Sequence, residues 1–289
     1  MSTQSGAIAR PDLAVFIPTL NEAMNVHRAI ESVLGWAAQV FVVDSLSSDD
    51  TVRIARSYEG VQVFEHPFEN YSKQWNWALD NLPIETEWVM ILAADESVPE
   101  KTRDEIAAAI QTARGEVAAF TLWWKFIFMG KWLKHTCRKV HSIRIWRTGR
   151  GRFEDRSVNE QLIVDGEVRS LKQPLIHDDR KGISAWVWRH NRYSTMEAIE
   201  FFRRKEKVTG APSGRKVAWR RFLFERVWPW VPCGPLLLFL YRFFFRLGFL
   251  DGRAGLDYAL LKLFFSLMIS LKKREYRLTG AVSSQDAMM

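Results

Sequence analysis

The sequence lacks the features that most simply assign a chain of its size. Its two cysteines, Cys137 and Cys233, stand far apart and make no CxxC pair. That argues against a disulfide framework or a cysteine-based structural zinc site and suits a reducing compartment. No GxGxxG follows the first strand-like run, and no GxxxxGK[ST] occurs anywhere. A dinucleotide oxidoreductase or a P-loop ATPase would therefore be without its phosphate cradle. The first ten residues are small and polar with no apolar stretch, so no signal peptide is expected. Neither apolar run near the C-terminus reaches the ~20 uninterrupted residues that cross a bilayer, and Arg242 and Arg246 break the first.

What is present is enough for one sizeable core, or a core with a small appendage: 289 residues, 47% hydrophobic and 26% charged. The net charge of +8 fits nucleic acid, anionic lipid or a phosphorylated substrate, and does not choose among them.

The first hundred residues alternate between strand and helix patterns. Leu13–Ile17, Val40–Val43, Val61–Phe64 and Trp88–Leu92 read as buried strands. Helical patterns follow from Asn21 to Leu34, Thr51 to Tyr58 and Ser72 to Leu82. This predicts an α/β fold with a mostly parallel sheet flanked by helices, whose ligand lies outside the carboxyl ends of the strands. Asn21, Glu22, Asp44, Ser45, Asp49, Asp50, Asp95 and Glu96 fall there. With no glycine-rich loop, carboxylates beside a phosphate-bearing ligand need a cation between them; a hard divalent metal held by Asp95 would serve. Each acid taken alone can equally be a turn or N-cap residue.

Four segments together resemble glycosyltransferase family 2, inverting enzymes with the GT-A fold. They are Val15-Phe-Ile-Pro-Thr-Leu-Asn-Glu22, Asp44-Ser-Leu-Ser-Ser-Asp-Asp-Thr51, Lys73-Gln-Trp-Asn-Trp-Ala-Leu79 and Leu92-Ala-Ala-Asp-Glu96. Gly151 to Glu160, Leu175-Ile-His177 and Asn191 to Ser194 are similar to a bacterial branch that includes lipopolysaccharide-core glucosyltransferases. The resemblance implies a Rossmann-like GT-A catalytic domain over residues 12–200, after a flexible N-terminus over 1–11. It implies a nucleotide-sugar donor held by Pro18, Thr19, Leu20, Asn21, Glu22, Asp44, Ser45, Lys73 and Asp95. Asp95 matches the second acid of the family's Asp-x-Asp; the first would fall at Ala93 and is absent. His177 matches a late histidine that completes the Mn2+ or Mg2+ site or the diphosphate site, and Glu160 the general base. Asp155 and Arg156 would border the acceptor or diphosphate, with Trp124 offering a ring face to a sugar.

Those roles suit inverting transfer, where one base takes the acceptor proton and the diphosphate leaves unprotonated. A glycosidase would need two carboxylates in acid/base roles. On residue type alone, Glu160 reads as a surface glutamate, His177 as a satisfied histidine, Lys73 as helix surface and Trp124 as core.

The last third is basic and greasy. Eight Lys or Arg lie between Arg203 and Arg221 against one acid, followed by Trp228-Pro-Trp230 and the apolar runs 236–250 and 258–271. This predicts amphipathic helices over 201–278 associating with an anionic membrane surface, and a disordered tail over 279–289. No nucleic-acid motif accompanies the basic block, and no nucleic-acid partner is expected. The acceptor would be a lipopolysaccharide-type or other lipid-linked saccharide at the cytoplasmic face of a bacterial inner membrane. A polyprenyl phosphate as acceptor, or a non-catalytic binding protein on the same fold, stay open at this point. Nothing in the sequence sets an oligomeric state.

Overall fold

The computed structural model describes residues 10–154, 161–206 and 233–280. Asp155, Arg156, Glu160, most of the basic block, Trp228-Pro-Trp230 and the expected tail after 280 lie outside the described residues.

The chain opens with β1 (Leu13–Thr19), α1 (Val26–Glu31), β2 (Gln39–Asp44), α2 (Thr51–Arg56), β3 (Val61–Glu65), α3 (Tyr71–Asn81) and β4 (Trp88–Ile91). It continues through β5 (Glu96–Ser97), α4 (Glu100–Thr112), β6 (Val117–Phe128), β7 (Lys131–Trp132), β8 (His141–Arg147), β9 (Gly151–Phe153), β10 (Leu162–Val164) and β11 (Glu167–His177). Helices α5 (Gly182–Glu206), α6 (Gly234–Leu240) and α7 (Gly252–Thr279) follow, with a π-helical turn at Tyr241–Phe245 and a 3-10 turn at Gly248–Asp251 between the last two. These elements form two compact units. One runs to Gly130 and resumes over Lys139–Lys181; the other takes Lys131–Arg138 and the chain from Gly182 onward. The boundary between the two compact units thus falls before α5. Arg10 already donates to the Ala37 carbonyl at 2.7 Å and Pro11 is buried, so the first unit is anchored ahead of residue 12.

In the first unit the main sheet runs β3-β2-β1-β4-β8-β6-β11-β5. Strand β1 pairs parallel with β2 and β4, and β2 parallel with β3. Beyond β4 the pattern changes: β8 is antiparallel to both β4 and β6, and β11 is parallel to β6 but antiparallel to β5. The sheet is therefore mixed, which corrects the expectation of a mostly parallel one. The cause is the link between β6 and β8, which contains no helix; a parallel return needs a crossover.

Period-two alternation assigns each parallel strand to two cores. Leu13, Val15 and Ile17 join Val26, Ala29 and Ile30 of α1 on one face. Ala14 and Phe16 join Trp75 and Ala78 of α3 on the other. Both faces are covered, so the strands read as continuous apolar runs and their polar residues are displaced to the ends. The helical expectation from Asn21 to Leu34 shrinks to α1, because Asn21 (φ 53°) and the residues after it form a turn.

In the second unit, α7 packs on α5. The Lys272 ammonium donates to the Asn191 carbonyl at 2.8 Å and the Thr195 hydroxyl at 2.6 Å, and Phe202 stacks on Tyr276 at 4.4 Å. Leu260, Phe264, Leu267 and Leu271 form an exposed stripe at helical spacing on α7. Leu236, Leu237, Phe244, Phe245, Phe249 and Leu250 are exposed as well. The segment Gly248–Thr279 is, by length and composition, long and apolar enough to cross a bilayer. The helix itself runs on through Lys262 and past Lys272, so its apolar residues are interrupted by charge.

Candidate functional site

The site grows from the carboxyl ends of β1 and β2. Thr19 and Asp44 are register partners there, and the Thr19 hydroxyl donates to the buried Asp44 carboxylate at 2.6 Å. Asp44 also accepts from the Ser47 amide (2.7 Å) and hydroxyl (2.6 Å), which folds the 45–50 segment back over the strand end. Asn21 completes the clasp. Its amide donates to the Ser47 hydroxyl at 2.8 Å, and its side-chain oxygen accepts from the Ser48 amide at 2.8 Å. Asn21 and Leu46 both hold left-handed backbone, at φ 53° and 63°, and Leu46 is left exposed. Asparagine tolerates that conformation through local hydrogen bonds, whereas leucine does not, and such strain collects at functional sites. The Glu22 amide donates to the Thr51 hydroxyl at 2.7 Å, closing the pair of loops. Ser45 is buried and receives a 3.3 Å hydrogen bond from the Gln74 side-chain amide on α3. Pro18 and Leu20 are half-buried at the same strand end.

A second cluster forms where β5 pairs with the end of β11. His177 is the register partner of Glu96, and the Asp178 amide donates to the Asp95 carbonyl at 2.9 Å. This brings His177 Nδ1 to 3.4 Å from Asp95 Oδ1, although the two are distant in sequence. The ring of Phe126 meets His177 edge-on at 4.7 Å. Glu96 is 3% exposed and locked: it pairs with Arg144 at 2.8 Å, takes the Trp124 indole N–H, and accepts from the Ala93 amide at 2.9 Å. Arg144 lies over the Trp124 ring at 4.6 Å. Trp124, expected to offer its face to a sugar, thus has its N–H engaged and one face covered by a guanidinium.

The segment after His177 is fastened back onto the first loop. Arg28 on α1 pairs with Asp178 at 2.5 Å; Asn25 donates to Asp179 at 3.1 Å and accepts from the Arg180 amide at 3.0 Å. Lys181 forms an ion pair with Glu22. Burial pushes the Glu22 carboxyl above its ordinary value; Lys181 opposes that and neighbouring Asp95 adds to it. Glu22 and Asp95 are therefore close enough to repel, and Lys181 is the counter-charge within reach.

Among the described residues no group of three or more His, Cys, Asp or Glu is gathered as a metal cage. The donors present still suit a divalent ion. Mg2+ and similar cations are commonly held by one or two protein ligands with substrate phosphates supplying the rest. A carboxylate oxygen and an imidazole nitrogen 3.4 Å apart lie within twice an ordinary metal–ligand distance of ~2.1 Å.

Lys73 is exposed on α3 and paired with Glu69, itself exposed, and is the expected donor residue least drawn into either cluster. The segment carrying Glu160 is framed by the β9–β10 hairpin. There Asn76 of α3 grips the backbone of Phe153 with two hydrogen bonds of 3.0 and 3.1 Å, and the Glu154 amide donates to the Gln161 carbonyl at 3.0 Å. Sequence reasoning missed Asn25, Arg28, Asn76, Arg144 and Lys181. The Asp178-Asp-Arg-Lys181 string was the available signal, as dense charge immediately after a candidate ligand.

Residues 14–166, more than half of the chain, match the family described as Glycosyl transferase family 2. The chain is 24% identical over 275 residues to the lipopolysaccharide core biosynthesis glycosyltransferase LpsC of Rhizobium meliloti, covering 88% of this chain and 91% of that one. It is 40% identical over 94 residues to the uncharacterized glycosyltransferase RC0292 of Rickettsia conorii, where the match spans about a third of each chain, 32%. Among solved structures, S. aureus TarS 1-349 in complex with UDP-GlcNAc shares the fold with a TM-score of 0.50 at 16% identity, over 92% of this chain and 91% of that one. The extent of the family match decides the matter: this chain belongs to glycosyl transferase family 2 and is a transferase.

Proposed function

We propose that the protein is an inverting hexosyltransferase. It would move a sugar from a nucleoside diphosphate donor, with UDP as the nucleotide, to a hydroxyl of a lipid-anchored saccharide in cell-surface polysaccharide or lipopolysaccharide assembly. The observation that carries this reading is the 3.4 Å approach of His177 to Asp95 beside the Glu22–Lys181 pair. It gathers metal-type ligands and a cation at strand ends, which is where a diphosphate is best held. The lipopolysaccharide-core assignment of LpsC supports the acceptor class.

In this reading the 18–22 and 44–45 segments bind the nucleoside, and the rigid Asn21–Ser48 clasp orients it. Asp95 and His177 hold a Mn2+ or Mg2+ ion, which when bound supplies Lewis-acid charge to the diphosphate. Lys181 adds a fixed positive charge on the same side. Glu160 takes the proton from the acceptor hydroxyl as it attacks the anomeric carbon. Trp124, held by Arg144 over its ring and by Glu96 at its N–H, borders the acceptor.

The deciding experiment is transfer or hydrolysis by purified protein in detergent, over a panel of nucleotide sugars, with and without Mn2+ or Mg2+. The expected result is metal-dependent turnover of one donor, with the Glu160→Gln protein slower by about 100- to 10,000-fold while still binding nucleotide. Wild-type rates indifferent to EDTA would remove the metal from the mechanism. Binding of no nucleotide sugar would remove the donor assignment.

A further inference from the structure

The second unit contains a concentration of positive charge that catalysis does not explain. Lys262, on α7, is partly buried with its ammonium 3.4 Å from His190 Nε2 and 5.3–5.8 Å from the ring centres of Phe265, Tyr258 and Trp186. Arg242, from the π-helical turn, and Arg189, from α5, act on it electrostatically; Arg246, one turn on, acts on Arg242 and donates to the Thr136 carbonyl at 3.4 Å. The turn is fixed by contact of backbone with backbone. A Cβ at Gly248 would lie 2.7 Å from the Arg242 carbonyl oxygen, and one at Gly255 would lie 2.5 Å from the Gly248 oxygen.

Among the described residues no carboxylate pairs with Arg242, Arg246 or Lys262. Asp251, which follows the π-helical turn, is engaged by the Lys134, His135 and Thr136 amides and the Thr136 hydroxyl, at 2.7–3.1 Å. Asp257 faces Arg253. Nor can the neighbouring thiol and phenol supply charge. Burial pushes Cys137 up to about 11 and Tyr258 well above its ordinary value, so both are neutral near pH 7. Desolvation first, and Arg242 second, bring Lys262 down to about 8. Partly buried cations without an anion are costly to fold around. Charge of one sign, walled by aromatic rings, suits a ligand that brings the missing negative charge. The exposed Phe244, Phe245, Phe249 and Leu250 flank the same turn, so the ligand carrying that charge is expected to carry apolar chains too.

We infer that Arg242, Arg246 and Lys262 form a binding site for the phosphate monoester head of a membrane lipid, entered from the apolar rim of the π-helical turn. Doubly charged phosphate matches a multi-cation site better than a singly charged phosphodiester, and guanidinium groups bind its oxygens in pairs. The site adds a specific lipid contact to the general attraction of a basic protein for an anionic surface. It deepens the membrane-acceptor part of the function proposed above and does not depend on the donor assignment.

The test is vesicle flotation of the full chain with phosphatidylcholine vesicles containing either phosphatidic acid or phosphatidylglycerol, matched for surface potential. Wild-type protein is expected to bind the phosphatidic acid vesicles about tenfold more tightly. Arg242→Gln and Lys262→Met are each expected to abolish that preference while leaving phosphatidylglycerol binding in place. Circular dichroism and thermal melting identify a variant that has failed to fold, and the second variant then carries the result. Equal binding to the two vesicle types, or a preference that survives both substitutions, would overturn the site. Displacement of wild type from phosphatidic acid vesicles by inorganic phosphate at equal concentration would show that free phosphate is the occupant, and would overturn the lipid assignment. Nucleotide-sugar binding on the same proteins reports on the donor site separately: its loss in wild type sinks the donor reading and leaves the lipid result standing.

Discussion

The two units treat charge in opposite ways. In the first, almost every acid and base around the strand ends has a partner from a distant part of the chain: Arg28 with Asp178, Arg144 with Glu96, Lys181 with Glu22. In the second, Arg242, Arg246 and Lys262 face rings, carbonyls and one another. Paired charge builds a rigid frame in which a few groups, Asp95 and His177 above all, can be aimed at a ligand. Charge without a counter-ion is a standing cost, and it is relieved only when something from outside supplies the anion. One unit is thus preorganised, and the other is completed by what it binds.

The largest expected effect comes from breaking the preorganised side at its centre. Asp95→Asn keeps the size of the side chain and its polar reach but removes the charge beside His177. On the proposed reading it should lower metal-dependent kcat/KM on the order of a thousandfold, with the melting temperature nearly unchanged. Removing a like charge next to Glu22 also lets that carboxyl fall toward its ordinary value, so the variant should hold its Glu22 proton less strongly on acidification than the wild type does. Wild-type activity after this substitution would strip Asp95 of its role.

How much of this frame could be read in the sequence depends on how local the cause is. The four parallel strands were legible because each is a short apolar run ended by a polar residue, and both faces of the sheet are covered. Asp44, Asp95 and Asn21 were legible for the same reason, since they sit where the runs stop. The antiparallel half was not, because β8 takes its place through pairings with β4 and β6 that no local pattern announces. Arg144 was invisible in the same way: as a lone cation it looks like surface, and only the stacking on Trp124 and the pair with Glu96 give it a place, whereas Lys181 had the charged 178–181 string to mark it but no local pattern to name Glu22 as its partner. The full length of α7 was less legible than its apolar run, because a helix can turn one lysine inward, keep an apolar stripe outside and continue past both.

An intermediate effect is expected from Arg144→Met, which spares the proposed metal ligands. The substitution retains much of the volume over Trp124 but leaves Glu96, 3% exposed, without its counter-charge. Removing one partner of a buried ion pair costs about 3 kcal/mol or more. For a unit of this size that is a fall of roughly 6–12 °C in melting temperature, measurable by calorimetry. Replacing Glu96 with Gln in the same protein should recover part of the loss, because the buried charge disappears, while one of the two hydrogen bonds from Trp124 and Ala93, which reach different carboxylate oxygens, is kept by the single amide oxygen. A double variant no more stable than Arg144→Met alone would mean that the pair is held by geometry and not by charge.

The smallest effect has the opposite sign and tests the second unit. Lys262 is desolvated, and it faces Arg242 from the π-helical turn, Arg189 and His190 from α5, Cys137 from the 131–138 segment and Tyr258 from its own helix. Its folded value of about 8 lies below the ordinary lysine value of 10.5, so the unfolded chain binds the extra proton between those limits. Stability contributed by this group therefore rises with pH from about 8 to 10.5, and below 8 the folded protein bears the full cost of the charge. Lys262→Met removes that cost, and in the absence of lipid should raise the melting temperature at pH 7 by about 2–4 °C. The gain should shrink as pH climbs through 8 and vanish near 10.5. With phosphatidic acid vesicles present the order at pH 7 should reverse, because only the wild-type protein gains the stabilising ligand. A gain that stays constant with pH would trace to better packing by methionine, and the contrast between paired and unpaired charge would then lose its energetic basis.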